Sequence, residues 1–345
     1  MAALVAVTDP RGRVVVRGGG LCVEKEGNVL HPLRTHDISE LHLHGNVELS
    51  APARNLLLQE GIDVVFFTAA GNYRGRMVAA ESRQGARRLA QYQLVTDAPR
   101  RLALARSIVA GKVHNQRAVL LPRQRRLKDE TIGDSLAAMR GLTARILGAP
   151  DLDHLRGIEG LAAKHYFAAF ARSVQNSGFR FDGRNRRPPR DPINACLSFG
   201  YTLLVTRVEQ AVRSAGLDPY LGCLHEAGRG APVLALDLVE EVRPVIDALV
   251  LTLVNRKQLA PEDFRVPPPE ELGANAEVSE QAVYLGPVAR AILIRALEAR
   301  LNEPTRHPLR DDLWPLRQLL VEQALQITRI VEGDAATYQP LVLGG

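Results

Sequence analysis

The chain has 345 residues, 46% of them hydrophobic but only 5% aromatic, so it can bury a sizeable core built mainly of Leu, Val, Ala and Ile. Its 44 Lys and Arg exceed its 38 Asp and Glu, a net charge of +6 that suits an anionic partner such as nucleic acid without establishing one. Three widely spaced cysteines, Cys22, Cys196 and Cys223, exclude a disulfide framework and a zinc knuckle. No apolar run reaches membrane-spanning length, since the longest, at 245–254, is interrupted by Asp247.

In chain order, the apolar start at 1–7 is too short for a signal peptide and ends at Asp9 and Pro10, so a cytoplasmic protein is expected. Residues 1–80 read as a small β-rich domain. Val14, Val15 and Val16 form a β-branched run, and the alternation at Leu41–His42–Leu43–His44 predicts a half-buried strand. A short helix is expected over 51–60, a compact strand over 62–67, and a turn at Gly71–Asn72–Tyr73–Arg74–Gly75. The period then becomes helical. Residues 86–125 carry apolar positions at three- and four-residue steps, divided near Pro99. Helices are expected over 151–174, over 191–215 with Asp191 as N-cap and Pro192 in the first turn, over 236–256 with a kink at Pro244, and over 281–301 and 309–331, split at Pro304. The fold class is therefore α+β: an N-terminal β-rich domain (1–80), a larger, nearly all-α catalytic domain (81–335) and a C-terminal tail (336–345), frayed over Leu341 to Gly345. Between the helices, Gly183 to Arg190 is a basic loop that Pro188 and Pro189 keep from being helical, and Val266–Pro267–Pro268–Pro269 is a polyproline-type connector.

Several residues on this frame could carry chemistry. Glu159 lies between Gly157 and Gly160 on a helix, where each glycine costs about 1 kcal/mol relative to alanine but lets a backbone or substrate approach. An exposed helix carboxylate with incidental glycines is the bland alternative. His225 ends an apolar run just before the loop Gly228–Arg229–Gly230, where a packed or capping histidine is the common case. Asp237 and Glu240 are three residues apart, hence on one helical face beside the apolar stripe of Leu236, Val239 and Val242. That face is either a solvated edge or two carboxylates aimed into a cleft, and Asp237 alternatively caps the helix. Carboxylates with one imidazole suit Mg²⁺ or Mn²⁺ better than zinc. Such a metal polarises a phosphoryl oxygen and activates an attacking water or hydroxyl. Arg184, Arg186, Arg187 and Arg190 could then hold phosphates; a solvated turn is the alternative.

An ordered set of motifs narrows these options. It runs from Gly71–Asn72–Tyr73–Arg74–Gly75–Arg76 and Gly111–Lys112–Val113–His114–Asn115–Gln116 to Leu155–Arg156–Gly157–Ile158–Glu159–Gly160 with Tyr166 and Phe167. It continues through Arg186–Arg187–Pro188–Pro189, Pro192–Ile193–Asn194–Ala195 and Ser198–Phe199–Gly200–Tyr201–Thr202–Leu203–Leu204. It ends with Gly216–Leu217–Asp218, Gly222–Cys223–Leu224–His225 and Leu234–Ala235–Leu236–Asp237–Leu238–Val239–Glu240–Glu241. Over nearly its whole length the chain resembles the CRISPR-associated endonuclease/integrase of the spacer-acquisition (adaptation) module, with Arg186–Arg187–Pro188–Pro189 most like the type I-C branch.

The resemblance implies a metal held by Glu159, His225 and Glu240, with Asp237 an auxiliary acid of the active site. It implies metal-dependent transesterification, in which the 3′-hydroxyl of a short protospacer duplex attacks the repeat boundary of the array. It also implies a homodimer formed through the N-terminal domains and a hetero-hexamer with a small ferredoxin-like adaptation partner, acting on double-stranded DNA and not on a membrane. A stand-alone structure-specific nuclease of branched or repair DNA would use the same residues, whereas a non-catalytic DNA-binding scaffold has no need to gather these acids.

Overall fold

The computed structural model describes residues 3–9, 11–79, 84–185, 188–226, 228, 230–268 and 282–343. Its fold is α+β, β-rich at the N-terminus and helical thereafter, and it divides into two compact units. The first gathers Met1–Glu81, Asn185–Thr202 and Ala260–Glu298, and the second Ser82–Arg184, Leu203–Leu259 and Ala299–Gly345.

The first unit contains two four-stranded sheets. One has the order β1-β5-β7-β8, where β1 is Ala3–Val7, β5 Ile38–His44, β7 Asp63–Phe67 and β8 Tyr73–Met77; the first three are parallel and β8 is antiparallel to β7. The other has the order β4-β3-β2-β6, where β2 is Arg13–Arg17, β3 Gly20–Lys25, β4 Asn28–Leu33 and β6 Glu48–Leu49. Helix α1, Ala51–Gln59, starts where the Ser50 hydroxyl accepts the Ala53 N–H at 3.3 Å and Pro52 sits in the first turn. Val14, Leu21, Leu41, Leu43, Leu57 and Val64 meet in the core of this unit.

The alternation at Leu41–His42–Leu43–His44 predicted a strand with one wet face, but β5 is buried on both. A central strand between two neighbours has its second face covered as well. Its polar residues are accommodated individually. Arg76 donates to Glu40 at 2.6 Å, the His42 ring nitrogen lies 2.6 Å from the other Glu40 oxygen, and His44 stacks on Phe67 with ring centres 4.6 Å apart. Neither ring nitrogen of His44 has a hydrogen-bond partner among the described residues. Burial, helped by the nearby Arg290 and His42, pushes its pKa well below the ordinary 6.5. A lowered folded-state value means that this contribution to stability is complete above about pH 6.5 and is lost as the pH falls towards the folded value. His44→Phe, which keeps the stack, is expected to flatten the acid-side decline in melting temperature; an unchanged pH profile would contradict this.

In the second unit, α2 (Gly85–Thr96) and α3 (Ala98–Leu127) are separated at Asp97, which caps α3 by accepting the Arg100 N–H at 3.1 Å, with Pro99 in the first turn. Helix α4, Glu130–Leu147, was not expected. Its stripe of Ile132, Leu136, Met139, Leu142 and Ile146 is buried at helical spacing, but Gly133 and Gly141 weaken the signal. Helix α5 is Leu152–Ser173, and α6, Pro192–Ser214, is divided between the units after Thr202. The expected kinked helix over 236–256 is two helices, α7 (Val233–Val239) and α8 (Arg243–Asn255). Pro244 has no N–H to donate and so begins a helix here instead of bending one.

Further corrections fall towards the C-terminus. Before α9, Pro287–Asn302, the chain forms a strand pair of Tyr284–Leu285 with Phe264–Arg265. Before α10, Leu316–Glu332, it forms the hairpin Pro304–Arg306 with Leu313–Pro315. The tail is docked, with Leu341 and Leu343 buried. Residue 281 and Pro269, part of the expected helix and connector, lie outside the described residues. No helix among the described residues is long and apolar enough to cross a membrane.

Candidate active site

All four acidic or His positions singled out from the sequence fall in the second unit. Glu159 lies on the second turn of α5, which Asp151 caps by accepting the His154 N–H at 2.9 Å. A methyl group built on Gly157 or Gly160 would meet nothing within 4 Å, so the glycines leave open space beside Glu159 instead of admitting another part of the chain. The Glu159 side chain keeps 25% of its exposure.

His225 sits on a loop whose backbone is held from both sides. The buried Asp237 carboxylate accepts the N–H groups of Cys223 at 2.6 Å, Leu224 at 2.9 Å and His225 at 3.0 Å. Arg101, from α3, donates to the Cys223 carbonyl at 2.8 Å, and Arg156, from α5, donates to the Leu224 carbonyl at 2.7 Å. Asp237 also lies 2.6 Å from Nδ1 of His225. As a carboxylate it can only accept, so Nδ1 carries the proton and Nε2 presents its lone pair. Asp237 thus uses its carboxylate on the loop and neither caps α7 nor faces outward with Glu240.

Gly222 makes this close approach possible, because a methyl group there would lie 2.5 Å from Oδ2 of Asp237 and 2.9 Å from the Val233 carbonyl carbon. Gly222→Ala is therefore expected to destabilise the protein by about 1–3 kcal/mol and to move His225. A melting temperature equal to wild type would contradict it.

Glu240 is the residue after the last turn of α7 and is 3% exposed. Its surroundings are cationic. Lys112 Nζ lies 2.6 Å from Oε2, an Arg243 nitrogen 3.1 Å from Oε1, and Nε2 of His225 4.0 Å from Oε1. Burial would raise the Glu240 pKa, but the Lys112 and Arg243 cations outweigh it and bring it down to about 2. Lys112 also pairs with Glu159. Burial would lower the pKa of this ammonium, yet Glu240 and Glu159 together hold it above its ordinary value.

Lys112 thus joins Glu159 to Glu240, and His225 stands beside Glu240. Among the described residues no three His, Cys, Asp or Glu groups stand close enough to hold a metal ion as arranged, because the Lys112 ammonium lies between the two carboxylates. The donor set, an anionic buried carboxylate, a partly open one and an imidazole whose Nε2 faces Glu240, nevertheless fits a hard divalent ion.

Of the basic loop, Arg190 is exposed and Arg184 half-buried, and the Arg190 N–H donates to Asn185 at 2.8 Å. Arg186 and Arg187 lie outside the described residues. Sequence reasoning did not place Lys112, Arg243, Arg101 or Arg156 at the site. A signal existed for the first: Lys112 and Asn115 interrupt the stripe of Ile108, Val109, Val119 and Leu120 that α3 buries. A lysine on a core-facing stripe needs a buried partner.

Comparison with known proteins agrees with the sequence motifs. The family model for CRISPR associated protein Cas1 matches residues 5–298. A CRISPR-associated endonuclease Cas1 of Thermus thermophilus is 41% identical over 329 residues, covering 95% of either chain, and one of Moorella thermoacetica is 35% identical over 327 residues, covering 93% of this chain and 92% of that one. The solved structure of a Cas1 protein from Thermotoga maritima superposes with a TM-score of 0.79 at 25% identity, covering 96% of this chain and 97% of that chain. The chain belongs to the Cas1 family of CRISPR-associated proteins.

Proposed function

We infer that this chain is a metal-dependent DNA endonuclease and integrase that inserts short foreign DNA fragments as new spacers into a CRISPR array. The observation that carries the reading is the pairing of Lys112 with both Glu159 and Glu240, with His225 beside Glu240, in one unit of a Cas1-family chain. Glu159, His225 and Glu240 would hold the ion. When bound, Mg²⁺ or Mn²⁺ supplies Lewis-acid polarisation of the phosphate and a lowered pKa for the attacking 3′-hydroxyl.

The chain's own residues do the rest. Glu240 stays anionic throughout the neutral range, because its pKa of about 2 is set by its fixed cations. Asp237 holds His225 in the tautomer that offers Nε2. Lys112 and Arg243 keep positive charge beside the carboxylates, which favours approach of a phosphodiester. Arg184, Arg186, Arg187 and Arg190 follow DNA backbone and do not read bases.

The solved structures of similar fold include a casposase bound to an integration product, with a TM-score of 0.82 at 20% identity. They also include a Cas6-RT-Cas1–Cas2 complex, which supports a second adaptation protein as partner. In this reading that partner is small and the assembly is a hetero-hexamer. Residues 1–80 serve as the dimerisation domain in this reading. The edge strand β4, where Val29 is 53% and Leu30 44% exposed, offers a surface for a second copy. Arg186–Arg187–Pro188–Pro189 supports the type I-C branch, and the enzyme works in the cytoplasm.

The test is strand transfer of a short duplex into a repeat-bearing plasmid, with the small partner, in Mg²⁺ or Mn²⁺ and in chelator. Joining at the repeat boundary only with metal is expected. Cleavage of branched DNA with no joining under any of these conditions would favour a stand-alone repair nuclease.

A further inference from the structure

The geometry points to the C-terminal strap, residues 338–343, as a positioning element of the catalytic centre, locked onto Asn115 and Glu241 so that it fixes Lys112 and Glu240. The inference rests on the reading of Glu159, His225 and Glu240 as that centre. The family match ends at residue 298, so the strap lies beyond it.

Asn115 is one turn past Lys112 on α3 and is fully buried. Its amide donates to the Glu241 carbonyl at 2.8 Å and to the Leu341 carbonyl at 2.7 Å, and its oxygen accepts the Leu343 N–H at 2.7 Å. One side chain therefore joins the lysine's helix, the residue that follows Glu240, and the strap. Glu241 makes a second tie, since its carboxylate accepts the Leu341 N–H at 2.9 Å. Gln326 makes a third, donating to the Gln339 carbonyl at 3.0 Å and accepting the Gln339 N–H at 2.9 Å.

Gly111, beside Lys112, is shaped to the same contact. A methyl group there would lie 2.5 Å from Cβ of Pro340, so only glycine admits the strap at this height of α3. The motif Gly111–Lys112–Val113–His114–Asn115 thus reads as seat, cation and clamp. A displacement of about 1 Å at a reacting group can cost on the order of 100-fold in rate. Gln323 of α10 also donates to Glu241, at 3.0 Å, whereas Asn115 takes both of its strap contacts from Leu341 and Leu343.

The test uses two altered chains, Gly111→Ala in the full-length protein and a chain ending at Thr337, each assayed for strand transfer with the small partner. For both, kcat is expected to fall by ~10- to 100-fold while KM for the DNA stays as in wild type. A synthetic peptide of residues 338–345 is expected to restore kcat to the truncated chain. Protease cleavage within the strap reports its release in Gly111→Ala. A strap released with kcat unchanged overturns the proposal, as does a folded truncated chain whose kcat the peptide does not restore. Glu240→Ala is run alongside. Full activity there defeats the assignment of the centre itself, whereas loss there with full activity in both altered chains defeats the strap alone.

Discussion

Glu159→Ala and His225→Ala are each expected to lower strand transfer by more than ~100-fold without unfolding the protein. The magnitude follows from a comparison: loss of a group that merely orients a metal ligand costs about 10- to 100-fold, and loss of the ligand itself should exceed that. The intact fold follows from exposure. The Glu159 side chain is 25% and the His225 side chain 42% exposed, so neither truncation opens a large cavity or strands a fully buried group. Glu240→Ala should differ. Glu240 is buried between Lys112 and Arg243, and removing one member of a buried ion pair destabilises by about 3–5 kcal/mol. Its loss should therefore appear in both melting temperature and rate. Strand-transfer rates and thermal unfolding of the three variants separate the cases. Full activity in Glu159→Ala would defeat the site.

Asp237→Asn carries the second large effect, through the His225 loop that Asp237 holds. The Asp237 carboxylate accepts three backbone N–H groups and the His225 Nδ1–H. An amide presents one acceptor oxygen and turns its NH₂ toward other donors, so at least one buried N–H loses its partner. That loss should destabilise by roughly 1–3 kcal/mol. His225 would also lose the contact that fixes its tautomer, and a further ~10- to 100-fold loss of rate is expected. A stabilising additive that restores the fold should leave the rate defect in place. Recovery of full rate together with the fold would show that Asp237 is only structural.

The division between β-rich and helical parts was legible because the apolar period changes from two to near four at about residue 85. Helix starts were legible where a cap and a proline coincide, as at Asp97 with Pro99 and at Asp191 with Pro192, whose Asn194 N–H donates to Asp191 at 2.8 Å. The misread segments were those in which tertiary context outweighs local pattern. Strand β5 reads as half-exposed because a central position in a sheet leaves no trace in the strand itself. The helices around Pro244 read as one because the same residue either kinks a helix or begins one.

At the site, Glu159, His225 and Glu240 were legible as residue types, and the order of the motifs linked them. Asp237 and Glu240 were read as sharing one face. In the structure α7 ends between them, so Asp237 turns to the 223–225 loop while Glu240 meets Lys112. The contacts of Lys112 and Asn115 span more than forty and more than one hundred residues of sequence respectively, and spacing within a single helix carries no information about such partners. The tail read as frayed for a related reason: Leu341, Val342 and Leu343 are too short a run to show a period, and the tail is attached through backbone groups that composition does not reveal.

The most direct test of the central claim is to locate Mn²⁺ bound to the protein by anomalous X-ray scattering from crystals soaked in the metal. The account predicts one peak within coordination reach of Glu159, His225 and Glu240, lost in Glu159→Ala. A fully occupied peak elsewhere, with none at these three residues in a protein that joins DNA, would contradict it.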